Sequence, residues 1–218
     1  MNLDLFAHEI PQQQTETLAP GAVILRGFAY PETEALMMAI TEVAACAPFR
    51  HMVTPGGYVM SVAMSNCGPL GWITDGWGYR YSPIDPLSGQ PWPAMPVVFS
   101  QLAHRAASAA GFEDFTPDAC LINRYDVGAR MSLHQDKDEH DFSQPIVSLS
   151  LGLGATFLFG GLKRHEQVQR CSLLHSDVIV WGGASRLRYH GILPLKSGVV
   201  PDGFAGEHRF NLTFRKAG

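Results

Sequence analysis

From Asp118 to the C-terminus the chain is written in short segments of alternating polarity: ACLINRY, IVSLSL, ATFLFG, RCSLLH, DVIVWG, LRYHGIL and RFNLTFR. A period of two marks strands that bury one face, and the turn signals Gly160-Gly161, Ser176-Asp177 and Gly182-Gly183 separate the segments. Seven or eight short strands at this spacing predict a sandwich or barrel. The double-sheet jelly roll, or double-stranded β-helix, is the expected form, because the metal pattern described below needs that geometry.

Upstream of residue 117 the pattern differs. Pro31 fits a first helical position, and Leu36, Met37, Ile40, Val43 and Ala44 make one apolar stripe, which predicts a helix over about 31–45. A second helix is expected over about 96–110, with Phe99, Leu102, Ala103 and Ala106 on one face and Gly111 as the stop. Between them, residues 51–95 are rich in Gly, Pro, Tyr and Trp and read as a small sheet or a functional lid. The fold class expected is therefore α+β, predominantly β. Residues 1–117 form an N-terminal helical extension with a lid, and residues 118–218 form the jelly-roll core, all in one compact unit.

Composition narrows the class without naming a partner. A chain of 218 residues with 46% hydrophobic and 17% charged residues can bury a real core. A net charge of -4 argues against a protein that coats duplex DNA by bulk electrostatics. Cys46, Cys67, Cys120 and Cys171 form no C-x-x-C pair, which excludes the common zinc-finger and thioredoxin patterns. The N-terminus lacks a basic, then apolar, leader, so reduced thiols in the cytoplasm are expected. The uncharged run 146–162 is short and alternates like buried sheet, so no membrane span is expected. Without a coiled coil or repeat, a monomer is expected.

His134-Gln135-Asp136 places an imidazole and a carboxylate two residues apart, on one face if the segment is extended. His190, beside Gly182, Gly183 and Gly191, offers a third ligand. Two His and one carboxylate leave three octahedral positions open, the arrangement used by Fe(II) for O2 chemistry. A second pair, His175-Ser176-Asp177, leaves an alternative open, with His208 as its third partner, although Asp177 reads as a turn residue.

The segment Arg209 to Arg215 discriminates between them. Alternation puts Phe210, Leu212 and Phe214 on one face and Arg209, Asn211, Thr213 and Arg215 on the other. Guanidinium groups pointing into a barrel need anionic partners. The two Arg Cα atoms would stand roughly 20 Å apart on a strand, and their long side chains can converge on a short dicarboxylate such as 2-oxoglutarate. Asn123 and Tyr125 form another i, i+2 pair able to meet the same ligand, or else serve as a core Asn and a strand Tyr.

Together these pieces resemble the AlkB family of nucleic-acid dealkylating dioxygenases. The resemblance is carried by MVTPGGYVMSVAMSNCG, SPIDP, PWPAMP, PDACLINRY, SLHQDKDE, VSLSLG, FGGLKR, Val180-Trp181-Gly182-Gly183, RYHGI and RFNLTFR, from about residue 50 to the C-terminus. It implies a jelly roll with an N-terminal nucleotide-recognition lid, with His134, Asp136 and His190 as iron ligands. It also implies Asn123, Tyr125, Arg209, Asn211 and Arg215 as 2-oxoglutarate contacts, and Trp72, Tyr79, Tyr81, Asp138 and Arg164 as substrate contacts. Phe210 departs from the Tyr common in bacterial relatives and lies on the face away from the co-substrate. The segment Thr74-Asp75-Gly76-Trp77-Gly78 also departs from the family.

The chemistry implied is oxidative removal of N-methyl groups from bases such as N1-methyladenine and N3-methylcytosine. It consumes O2 and 2-oxoglutarate and yields succinate, CO2 and formaldehyde. The target base must leave its stack, and a flipped base would lie between Trp72 and the His134 ring. These bases are cationic, which suits Asp138, and Lys163 with Arg164 makes a small basic site. Alkylated single-stranded DNA is the expected substrate, with duplex DNA and RNA left open. The rival readings are a 2-oxoglutarate hydroxylase of a non-nucleic-acid substrate and a non-catalytic jelly-roll binding module. An acidic chain that grips a few phosphates should show a shallow salt dependence of binding, measurable by titration across salt concentrations. A slope implying about eight or more released counterions would contradict this.

Overall fold

The computed structural model describes residues 14–218; the first 13 residues of the expected N-terminal extension lie outside them. In chain order the strands are β1 (Gln14–Ala19), β2 (Ala22–Arg26), β3 (Arg50–Val53), β4 (Val59–Cys67), β5 (Gly71–Asp75), β6 (Gly78–Ser82) and β7 (Ala119–Asp126). They continue as β8 (Met131–His134), β9 (Ile146–Gly152), β10 (Ala155–Phe159), β11 (Gln169–Leu173), β12 (Val178–Trp181), β13 (His190–Ile192) and β14 (His208–Arg215). The helices are α1 (Thr33–Cys46) and α2 (Val97–Ala109).

Period-two patterning dictates how these elements layer. In β14, Phe210, Leu212 and Phe214 enter one apolar cluster with α1 and α2, while the intervening polar residues line a cavity on the other face. Strand β9 repeats the scheme: Val147, Leu149 and Leu151 face the helices, and Ser148 faces the cavity. Each fully buried Leu, Val or Phe contributes roughly 1.5–3 kcal/mol, so the helix-covered face is a main source of stability.

The major sheet is antiparallel in the order β1-β2-β12-β9-β14-β7-β4-β3. A minor sheet, β11-β10-β13-β8, packs over its inner face through Phe157, Phe159, Cys171, Leu173 and Ile192. This is the two-sheet jelly roll. Hairpin β5-β6 stands apart as a third, two-stranded sheet.

Three sequence expectations are corrected. Pro31 sits in a short 3-10 turn (Tyr30–Glu32), and α1 begins only after it. The region before residue 117 is more than a helical extension with a lid, since β2 and β4 pair with β12 and β7 and β1 and β3 extend the same sheet at its edges. Strand β4 hid from the alternation because its last six residues are buried whichever face they occupy. Finally, the alternating segment from Leu187 contributes only the three residues of β13.

Gly191 sets the close approach of β13 to β8. A Cβ there would lie 2.7 Å from the Met131 carbonyl oxygen and 3.1 Å from the Ser132 carbonyl carbon. The pairing of these strands is irregular at this residue, between His190 and Ile192. Gly191→Ala should therefore spread the two strands, costing about 1–3 kcal/mol as overpacking does. Urea denaturation should show that loss, and a metal titration should show weakened binding alongside it.

Candidate active site

Strands β8 and β13 set His134 directly opposite His190, with ring centroids 4.4 Å apart. Asp136 does not share the strand, as the spacing suggested; β8 ends at His134 and the carboxylate follows in the adjoining segment. That segment is held by Gln135 Nε2, which donates to the Leu187 carbonyl at 2.6 Å. Asp136 Oδ1 lies 3.6 Å from His134 Nε2 and 3.8 Å from His190 Nε2. Each imidazole uses Nδ1–H on a carbonyl two residues earlier, Ser132 at 2.8 Å and Arg188 at 3.1 Å. The tautomer is thereby set, with both Nε2 lone pairs turned toward the carboxylate. These three ligand atoms lie within 4.8 Å of one another. Two imidazoles and one carboxylate are the donor set of non-haem Fe(II) oxygenases, and the residues fit that metal.

Charge is balanced around this centre. Burial alone would raise the Asp136 carboxyl, but Arg215 and the two imidazoles outweigh it and hold Asp136 well below the usual carboxylate range. Arg215 donates Nε and Nη2 to Asp136 Oδ2, at 2.9 and 2.6 Å, which leaves Oδ1 to the metal. Burial, followed by the neighbouring His134, pushes His190 down to about 4, so it is a neutral ligand near pH 7. Glu139 Oε1 lies 3.4 Å from Arg215 Nε and accepts the Tyr81 hydroxyl at 2.5 Å. Glu139 Oε2 accepts Arg186 Nη2 at 2.9 Å, and Arg186 Nη1 donates to the Asp136 carbonyl at 2.7 Å. Sequence reasoning missed Glu139 and Arg186. No periodicity marks an acid that is buried only because a distant Arg meets it.

The two strand arginines divide the work. Arg215 has carboxylate partners, whereas Arg209 is 1% exposed and meets no acid. Its Nη2 donates to Ser150 Oγ at 2.9 Å, its guanidinium lies 5.2 Å from the Tyr125 ring centre, and its Nε and Nη1 have no partner. Burial lowers its pKa, and the Tyr125 phenol offsets this only in part. Asn123 Oδ1 is likewise unpartnered, and Asn123 Nδ2 donates to Asn211 Oδ1 at 3.2 Å. Asn211 is anchored in turn on Ser148 Oγ at 2.7 Å and the Leu149 carbonyl at 3.0 Å. Asn123, Tyr125, Ser148, Arg209, Asn211 and Arg215 line one cavity with His134 and His190. An orphaned guanidinium at one end and a metal centre at the other fit a short dicarboxylate such as 2-oxoglutarate. Ser148 and Ser150 were also missed as site residues, though the SLS alternation in β9 puts them on the cavity side.

The alternative metal pair is structural. Asp177 is buried, accepts Gly27 N at 2.9 Å and Leu174 N at 2.9 Å, and pairs with Arg26 at 2.6 Å. His175 Nδ1 accepts Gly152 N at 2.9 Å, and His208 packs on Phe204 and Phe210 instead of joining the pair.

A cleft of about 730 Å3 opens over the metal centre, lined by Trp72, Tyr79, His134, Asp138 and Arg164. Trp72 and Tyr79 stack at 5.6 Å and 16°, and Trp72 Nε1 donates to Asp138 Oδ2 at 2.9 Å. The Arg164 guanidinium lies 5.9 Å from the Tyr189 ring centre. Tyr81 is not part of the cleft lining; its hydroxyl donates to Glu139, which is. Phe210 lies on the helix side, stacked on Phe49 at 5.6 Å.

Arg209→Met should raise the KM for 2-oxoglutarate by roughly thirtyfold or more, the scale of breaking a buried charged contact. The urea midpoint of the metal-free protein should not fall, because the guanidinium removed has no acidic partner. A fall as large as that of a core truncation would show that Arg209 serves the fold.

Comparison with known proteins agrees with the chemistry of the site. The profile of the 2OG-Fe(II) oxygenase superfamily matches residues 21–215. The chain is 62% identical to the alpha-ketoglutarate-dependent dioxygenase AlkB of Escherichia coli (strain K12), over 99% of this chain and 98% of that protein. It is 33% identical to the nucleic acid dioxygenase ALKBH1 of Homo sapiens over 123 residues, 56% of this chain and 31% of that protein. The solved structure of OsALKBH1 superimposes with a TM-score of 0.83 at 28% identity, covering 93% of this chain and 100% of that one. With its two-histidine, one-carboxylate centre and its anion-seeking Arg209, the chain belongs to the AlkB family of 2-oxoglutarate- and Fe(II)-dependent dioxygenases.

Proposed function

We propose that this dioxygenase removes N-methyl groups from cationic nucleobases, N1-methyladenine and N3-methylcytosine, and so repairs alkylated nucleic acid. The observation that carries the reading is the aromatic pair Trp72–Tyr79 with the Asp138 carboxylate fixed beside it, in one cleft with His134. A flat pocket walled by rings and bearing an acid suits a planar cation. The relative named nucleic acid dioxygenase supports the same polymer class.

The chain's own residues bind and orient. Trp72 and the His134 ring offer the two faces between which a flipped base is held, with stacking worth about 1–3 kcal/mol per base. Asp138 spends one oxygen on Trp72 Nε1 and keeps the other for the cationic base. Arg209 and Asn123 orient 2-oxoglutarate from the far end, while Arg215 keeps Asp136 ionised. Iron(II), when bound, supplies the O2 activation that couples oxidative decarboxylation of 2-oxoglutarate to hydroxylation of the methyl carbon. The hydroxymethyl base then expels formaldehyde.

Single-stranded DNA is the preferred polymer in this reading. The net charge of -4 suits a few contacts at Arg130, Lys137 and Arg164 on the cleft wall better than a broad duplex footprint. All four cysteines are free, which fits a reducing cytoplasm, and no described helix is long and apolar enough to cross a membrane. We read the protein as a monomer.

The test uses protein loaded anaerobically with Fe(II), then 2-oxoglutarate, air and an oligonucleotide carrying N1-methyladenine. Formaldehyde and repaired base should appear in equal amounts, and His134→Ala or Asp136→Ala should abolish both. Asp138→Ala should cut base repair at least tenfold while succinate formation continues uncoupled. Wild-type succinate formation without base repair would sink the reading and leave a hydroxylase of another substrate.

A further inference from the structure

We propose that Trp77, at the tip of hairpin β5-β6, is a stacking platform for the nucleobase next to the target, a role that rests on the nucleic-acid function proposed above. Its side chain is 93% exposed, more than any other aromatic residue among those described. An indole held in water forgoes a large burial gain and presents a flat face to any planar partner.

The tip is built to present the ring. The Trp77 N–H donates to Asp75 Oδ1 at 2.9 Å, and Arg80 clamps both oxygens of Asp75 at 2.8 and 2.7 Å. That ion pair closes the hairpin and leaves it electrically neutral. The flanking Gly76 and Gly78 have open space where a Cβ would point, with no heavy atom within 4 Å. Nothing described covers the tip, and a planar ligand has room to approach.

Continuity with the cleft identifies the occupant. Trp77 stands in the turn two residues before Tyr79, and Tyr79 stacks on Trp72 inside the cleft. The adjacent β3-β4 turn carries a second exposed aromatic, Tyr58, at 77%. The two hairpins are tied by Thr74 Oγ1, which donates to the Val53 carbonyl at 3.2 Å. A strand that delivers its target base to Trp72 therefore carries its neighbouring nucleotide past the tip. One ring on a neutral tip is far too small for a stable protein interface, but it matches a single base face.

The experiment compares wild type, Trp77→Ala and Trp77→Phe on two substrates: N1-methyldeoxyadenosine monophosphate and an 11-nucleotide single strand with one central N1-methyladenine. Trp77→Ala should lower kcat/KM on the strand by about fivefold to a hundredfold, the span of base–aromatic stacking under alanine substitution. It should leave the mononucleotide unchanged, and Trp77→Phe should recover most of the loss. Unchanged kinetics on the strand, or an equal loss on both substrates, would overturn the proposal. A separate readout works even if wild type repairs neither substrate and the dealkylation reading fails. Thymidine oligomer should quench more indole fluorescence in wild type than in Trp77→Phe, and equal quenching also overturns the proposal.

Discussion

The ion pair between Arg215 and Asp136 is the contact on which the rest of the site depends. A carboxylate this deeply buried keeps its charge only beside a cation, and taking either partner out of water alone costs several kcal/mol. Arg215 in turn lies beside Glu139, and Glu139 is met by Arg186 and the Tyr81 hydroxyl. Two acids and two guanidiniums thus close a balanced network drawn from strand β14, the loop after β8, the segment after β12 and hairpin β5-β6. The network and the backbone bonds to both imidazoles brace the three ligand side chains. Contacts of this kind orient the ligand side chains and fix their tautomers.

Arg209 shows the opposite arrangement, which spacing along the strand does not reveal. One strand presents two guanidiniums to the same cavity, one satisfied within the protein and one left for a ligand. Twin arginines would look equivalent by alternation, yet only the unpaired one can gain an acid when 2-oxoglutarate enters.

What the sequence made legible were the features with a local period. Strand β14 and its polar face, the serine side of β9, and the stripes of α1 and α2 all follow from spacing, because neighbours in the chain are neighbours on the element. The metal set was legible as types and spacing, but choosing His134-Asp136 over His175-Asp177 needed the Arg strand. What stayed hidden was non-local. Strand β4 lost its alternation under two-sided burial. The Trp72–Asp138 and Glu139–Arg186 contacts join residues 66 and 47 positions apart.

Because β4 pairs with β7 in register, Met64 opposite Asn123, the β3-β4 hairpin is rooted in the same sheet that carries Asn123 and Arg209. A one-residue slip of β4 against β7 would turn Met64 and its neighbours to the opposite face of the sheet, whereas the turns at the tips have no such constraint. A change of a few tip residues can therefore alter the surface around the cleft and leave the metal centre untouched. Anyone grafting a new lid onto this scaffold would inherit the same division: the seam along β4 must be copied, and the fingertips are free to vary.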